Sequence, residues 1–295
     1  MKLGLGTVQF GLDYGISNNA GKTVQSEVRR ILTAAYEAGV QILDTAQGYG
    51  DSEEVLGVSI PEKASFEIVS KTPVIKYSGS IESSEVRIIE DACLASLEKM
   101  KISCLYGLLV HNADDLLALG GQLLYQSLKE LQQRGLIKKI GASVYTGDQI
   151  ERLSAKYTLD IIQVPVNILD QRLIRSGQLS QLKQEGVEIH ARSAFLQGLL
   201  LMEPGLLGDY FKPWQSLLQT YQDEIKNKGL TPLQAALGFV LSLKEIDIVL
   251  CGVNSVAQLQ EILTIHQLRL PADLEPERFA CDDPGLLNPA LWPKK

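Results

Sequence analysis

The sequence predicts an α/β fold, a closed (β/α)8 barrel of parallel strands ringed by helices, on three observations. Short β-type runs alternate with amphipathic helical stretches from the N-terminus to about residue 266. There are eight such runs, a number that suits closure better than an open sheet. The residues with the most chemical potential stand at or just beyond the C-terminal ends of these runs, where a parallel barrel gathers its loops around one mouth.

Taken in order, the strands are expected over 3–7, 41–46, 66–71, 105–111, 138–144, 160–166, 188–194 and 247–253. The first helix is expected over 26–38, where Val28, Ile31, Leu32 and Ala35 recur at helical spacing and Gly39 stops it. Helices over 83–100 and 123–134 follow the same logic, and Gly135 and Gly186 stand where a left-handed residue ends a helix. An extra helix is expected over 213–227, ahead of Thr231-Pro232, an N-cap followed by a first-turn proline. Pro271, Pro276, Pro284, Pro289 and Pro293 mark an irregular tail over about 267–295, so the chain reads as one domain, 1–295, with its barrel over about 1–266.

Two rival layouts fit less well. Gly4 and Gly6 begin a GxG, but Gln9 takes the third glycine position of a nucleotide-binding fingerprint and no helix is expected to open there. Unequal spacing of the units argues against a solenoid.

Hydrophobic residues make up 45% of the 295, enough for a substantial core. The net charge is −7 with no basic cluster, which excludes a nucleic-acid partner. No apolar run approaches bilayer length and the N-terminus lacks a signal-type stretch, so a soluble cytoplasmic protein with no membrane partner is expected. Cys93, Cys104, Cys251 and Cys281 form no CxxC pair, which suits reduced thiols and indicates neither disulfides nor a metal site. The sequence is silent on oligomeric state.

Asp44, Tyr49, Lys71 and His111 end or closely follow strands two, three and four. Alternation places Ile42 with Asp44, Val69 with Lys71 and Leu109 with His111 on one inward face, so the polar groups cap apolar layers. Tyr49 lies between Gly48 and Gly50 in a tight turn. A phenol is a poor acid near neutral pH unless a cation stabilises its conjugate base, and Lys71 is the cation on offer. The constellation reads as a proton donor: Tyr49 as general acid, Lys71 lowering the cost of its ionisation, Asp44 pairing with Lys71, and His111 orienting a carbonyl. Taken singly, each residue also has a structural reading as ion pair, loop aromatic or core histidine.

The stretch Leu43-Asp44-Thr45-Ala46, Tyr49-Gly50, Ser52-Glu53 and Leu56-Gly57 resembles the signature of the aldo-keto reductases. Val69-Ser70-Lys71, Leu109-Val110-His111 and Gly4-Leu5-Gly6-Thr7 are similar to that family's third, fourth and first strands. The resemblance implies a TIM barrel that reduces an aldehyde or ketone with a nicotinamide cofactor, through the Asp44, Tyr49, Lys71 and His111 tetrad. It implies that Ser143 and Gln163 hold the carboxamide, and that Gly6, Thr7 and Asp44 lie near the nicotinamide ribose. Ser193, Leu196 and Gly198 resemble the loop along the pyrophosphate. Gly252, Asn254, Ser255, Gln258 and Glu261 resemble the adenosine end.

The chain departs from the pattern in places. Val144 replaces an Asn after Ser143, and Arg192 replaces an aromatic that stacks on the nicotinamide, a role a guanidinium plane can also fill. Gly252 and Gln258 stand where some members carry basic residues for the 2′-phosphate, yet the resemblance favours NADP(H) over NAD(H). The expected partner is a small-molecule carbonyl compound, and Asp13, Tyr14, Asn18 and Asn19 after strand one suggest a polar or sugar-like one. Tyr210, Phe211 and Trp214 suit either a pocket wall or packing of the loop after strand seven. Two other functions compete: a lyase forming a Schiff base through Lys71, and a cofactor-sensing regulatory protein with little turnover.

Overall fold

The computed structural model describes residues 1–266 and 268–293. Of the expected tail, residues 267, 294 and 295 lie outside the described residues. Eight strands, β1 (Leu3–Gly6), β2 (Ile42–Asp44), β3 (Glu67–Lys71), β4 (Leu105–Val110), β5 (Ile137–Ser143), β6 (Ile161–Pro165), β7 (Glu188–Arg192) and β8 (Ile248–Gly252), pair in chain order. All pairs are parallel and β8 returns to β1, so the sheet closes into a (β/α)8 barrel. Every expected strand is present. Most stop one or two residues early, because Thr7, Ala46, His111, Val144, Ser193 and Val253 leave the ladder to form the rim.

Alternation works as the side-chain geometry requires. Ile42, Val69, Leu109, Ile161 and Leu250 fill the barrel interior, while the large outer core seats the helices on the strands' other face. At the N-terminal strand ends, Glu188 accepts from Tyr106 Oη (2.8 Å) and from Lys139, and its other oxygen lies 2.6 Å from His190 Nε2. That charge cluster closes the end opposite the mouth.

The helix expected over 26–38 runs Gln25–Glu37, and the one over 83–100 is Ser83–Met100. The helix expected over 123–134 starts earlier, at Gly121, because Gly120 in the left-handed region turns the chain directly into it. Residues 213 and 214 are not α-helical. They end a 3-10 turn, Asp209–Trp214, and the helix proper is Gln215–Asn227. Thr231 caps Pro232–Ser242 as expected, in a capping box with Gln234.

A single helical turn, Val8–Gly11, does open after β1, contrary to the expectation of none. Four residues show no periodicity, and the fully buried Phe10 anchors them instead. This turn positions the candidate acid. A Cβ built on Gly11 would lie 1.8 Å from Tyr49 O, and one on Gly50, itself at φ +59°, would lie 2.4 Å from Gly11 O. Two glycines thus let the β1 loop press against the Tyr49 turn. The tail packs back over the barrel, with Phe279, Leu286 and Leu287 buried and Cys281 N bonded to Leu169 O at 2.8 Å.

Gly11→Ala is expected to destabilise the fold by ~1–3 kcal/mol through overpacking. Urea denaturation should show a lower midpoint with the slope retained, whereas an unchanged midpoint would mean that the two turns are not in tight contact.

Candidate functional site

The site begins with strand register. Asp44 closes β2 opposite Val69, and Lys71 closes β3 opposite Leu109, so the two side chains meet at the mouth. Lys71 Nζ donates to Asp44 Oδ2 at 2.6 Å and to Thr45 O at 2.9 Å. Asp44 Oδ1 accepts from Gln163 Nε2 at 2.7 Å, a bond that crosses the barrel from β6. Burial opposes the Lys71 charge, but Asp44 and then Tyr49 outweigh it and hold the ammonium above its ordinary pKa.

Tyr49 follows in its glycine-flanked turn, and Lys71 Nζ lies 4.9 Å from the centre of its ring. His111 stands across from it, the two ring centres 6.1 Å apart and nearly perpendicular. The backbone N–H of His111 donates to Thr72 Oγ1 at 3.1 Å, which fixes the imidazole at the rim. Burial, and after it the Lys71 charge, lowers the His111 pKa from 6.5 to about 4, so the ring is neutral. All four expected catalytic residues are therefore brought together.

Behind them a buried hydroxyl network ties β1, β2 and β3. Ser52 Oγ lies 2.9 Å from both Thr7 O and Thr7 Oγ1, and Thr7 Oγ1 donates to Asp44 O at 3.0 Å. Glu53 accepts from Ser70 at 2.7 Å and from Ser96 at 3.1 Å. The Thr7 hydroxyl is thus committed to the scaffold.

A cleft of about 1160 Å³ runs from this mouth along β6, β7 and β8. Asp44, Tyr49 and His111 line one end, and Gly252, Asn254, Gln258 and Glu261 the other. Gly6, Thr7, Ser143, Gln163, Arg192, Ser193 and Gly198 lie between. Lys71 is absent from the wall because Asp44 and Tyr49 cover it.

Two expected cofactor residues stay out of the cleft wall. Ser255 caps the helix Val256–Ile265, accepting from Gln258 N, so its hydroxyl serves the chain itself. Leu196 is fully buried. It belongs to a left-handed run in which Ser193 (φ 62°), Leu196 (48°), Gln197 (54°) and Gly198 (92°) bend the chain sharply. Left-handed non-glycine residues are strained, and such strain collects at ligand sites.

Tyr210, Phe211 and Trp214 are packing residues. Tyr210 Oη donates to Gly285 O at 3.0 Å, Phe211 meets Trp292 edge-on at 4.9 Å and Trp214 Nε1 donates to Asp283 at 3.0 Å, so the loop holds the tail. Tyr14, Asn18 and Asn19 do line the cleft.

Among the wall residues that escaped the sequence reading, three carry polar side chains that bear on the site. Tyr145 carries the Arg192 guanidinium 4.3 Å above its ring, and the signal was its place two residues beyond Ser143. Gln197 came from the left-handed run and had no signal of its own. Gln9, noted only for spoiling a glycine motif, packs its amide where a Cβ on Gly252 would lie, 2.4 Å away. Its Oε1 is buried without a hydrogen-bond partner among the described residues.

The volume of the cleft, the polar groups set in its wall and the neutral imidazole beside a lysine-supported phenol suit a dinucleotide lying alongside a carbonyl group. Comparison with known proteins agrees. The aldo/keto reductase family model matches residues 2–274. The chain is 24% identical to aldo-keto reductase YhdN of Bacillus subtilis over 90% of this chain and 84% of that one. It is 21% identical to aldo-keto reductase str7 of Strobilurus tenacellus over 82% and 76%. Among solved structures, aldo-keto reductase AKR11C1 from Bacillus halodurans in its holo form shares the fold, with a TM-score of 0.73 at 19% identity and coverage of 94% and 90%.

The lowered His111 pKa sets a pH dependence. Between its ordinary 6.5 and about 4 the unfolded chain binds the proton and the folded chain does not, so this contribution to stability is present above 6.5 and lost as pH falls. NMR of the imidazole should show no protonation of His111 down to about pH 4. A titration near 6.5 would contradict the buried, cation-flanked placement.

Proposed function

This chain belongs to the aldo/keto reductase family and is an NAD(P)H-dependent oxidoreductase of carbonyl compounds, and we propose that Asp44, Tyr49, Lys71 and His111 carry its chemistry on a small polar aldehyde or ketone. The observation that carries the reading is the Lys71 ammonium seated between Asp44 at 2.6 Å and the Tyr49 ring at 4.9 Å. The reduced nicotinamide, when bound, supplies a hydride to the carbonyl carbon.

Tyr49 delivers the proton to the carbonyl oxygen, and the charge left on the phenol is stabilised by the Lys71 ammonium beside it. Neutral His111 donates an N–H to the same oxygen and fixes its direction without adding a second cation. Asp44 keeps Lys71 charged and in place. Lys71 is 1% exposed and held protonated, which makes it a poor amine nucleophile and supports a reductase over a Schiff-base lyase.

The remaining wall fits the cofactor. Gln163 spends its amide N–H on Asp44 and so offers Oε1 as an acceptor to a carboxamide, to which Ser143 can donate. The strained turn from Ser193 to Gly198 supports a pyrophosphate site, and Gln258 and Glu261 an adenosine site. For the 2′-phosphate we keep the family's preference for NADP(H). The preference is expected to be modest, since Asn254 Nδ2 is already bonded to Gly21 O and Thr23 Oγ1, and Gln258 Oε1 to Asn254 N. Tyr14, Asn18, Asn19 and Tyr145 give the substrate end a polar lining, which supports a polar or sugar-like compound.

Tyr49→Phe should lower kcat by ~10²–10⁴ while leaving the Kd for reduced cofactor unchanged. Undiminished turnover would remove Tyr49 as the acid. Tight cofactor binding by the unaltered protein, without turnover across a broad carbonyl panel, would favour the regulatory reading instead.

A further inference from the structure

We infer that the Arg192 guanidinium forms part of the nicotinamide wall and makes the pocket hold the neutral, reduced ring more tightly than the cationic, oxidised one. This rests on the proposed function, in which Ser143 and Gln163 take the carboxamide.

The position follows from strand register. Ser143 pairs with Gln163 across β5 and β6, and Gln163 pairs with His190, two residues before Arg192 on β7. From there the Arg192 side chain reaches back over the end of β6, where Nη2 donates to Val144 O at 3.0 Å, next to Ser143. Nη1 donates to Ser193 Oγ at 3.3 Å, and the Tyr145 ring covers the guanidinium at 4.3 Å. The cation is therefore pinned on three sides within the same wall as the two carboxamide holders. Its hydrogen-bond partners among the described residues are a carbonyl and a hydroxyl, and no carboxylate there pairs with it. Its positive charge therefore faces the cleft without a direct ion-pair partner among the described residues.

Such a charge distinguishes the two forms of the cofactor. Reduction of the substrate transfers one hydrogen nucleus with two electrons from the ring to the carbonyl carbon, while Tyr49 gives a proton to the oxygen. The nicotinamide ring leaves that exchange carrying one positive charge. Like charges held a few ångströms apart in a cleft repel far more than in water. The adenosine and pyrophosphate contacts are common to both forms and cancel in the ratio of their affinities, so the ratio isolates the ring. A tenfold ratio corresponds to a rise of about 30 mV in the two-electron potential of the bound couple. Weak retention of the oxidised form empties the pocket for the next reduced cofactor.

The test is calorimetric titration of the full-length protein with NADPH and NADP+ separately, repeated with NADH and NAD+. The unaltered protein should bind the reduced forms more tightly. Arg192→Gln and Arg192→Tyr, both neutral, should each tighten the oxidised relative to the reduced form by about tenfold, and Arg192→Lys should keep the original ratio. A ratio unmoved by both neutral variants, or equal weakening of both forms, would overturn the inference while leaving the proposed function intact. No binding of either form to the unaltered protein would sink both.

Discussion

A charged pair sealed into the barrel mouth constrains everything around it. Lys71 and Asp44 have side chains only 1% and 7% exposed, with nitrogen and oxygen 2.6 Å apart. Taking two such ions out of water costs several kcal/mol each, and their attraction offsets this only when the other polar valences are also met. Here Thr45 O takes a second ammonium proton and Gln163 donates to the second carboxylate oxygen. Removing either partner would strand a buried charge, which typically costs ~3–5 kcal/mol.

The pair also explains why its neighbours are what they are. Burial, and after it the permanent cation beneath the mouth, opposes protonation of His111, so the imidazole stays neutral and, in the proposed chemistry, donates one hydrogen bond to a carbonyl. The same cation lies under the Tyr49 ring, where it would stabilise the negative charge that the proposed proton donation leaves on the phenol. Thr7, Ser52 and Thr45 lock the strand ends from behind, and the glycine contact between the β1 loop and the Tyr49 turn fixes the height of the phenol. Stability and the proposed chemistry therefore draw on one set of bonds.

Much of this was legible in the sequence because it follows from short-range rules. Inward alternation placed Asp44, Lys71 and His111, the Gly48 to Gly50 turn placed Tyr49, and Thr231-Pro232 announced its helix. What was not legible depends on loop paths and long-range contacts. Gln9 matters because β1 and β8 are neighbours in the closed barrel, so that its amide fills the space over Gly252. Tyr145 matters because Arg192 arrives from two strands away. Ser255 was legible as part of the loop after the eighth strand, but its capping role shows only in the helix that starts behind it. Leu196 was legible as part of the loop, but the left-handed bend sends its side chain into the core.

The most direct test is a crystal structure of the protein with oxidised cofactor and an unreactive carbonyl analogue. The carbonyl oxygen should lie at hydrogen-bonding distance, roughly 2.6–3.2 Å, from both the Tyr49 hydroxyl and the His111 imidazole, with the nicotinamide ring facing the carbonyl carbon. An analogue bound elsewhere in the cleft, or Tyr49 turned away from Lys71, would contradict the account.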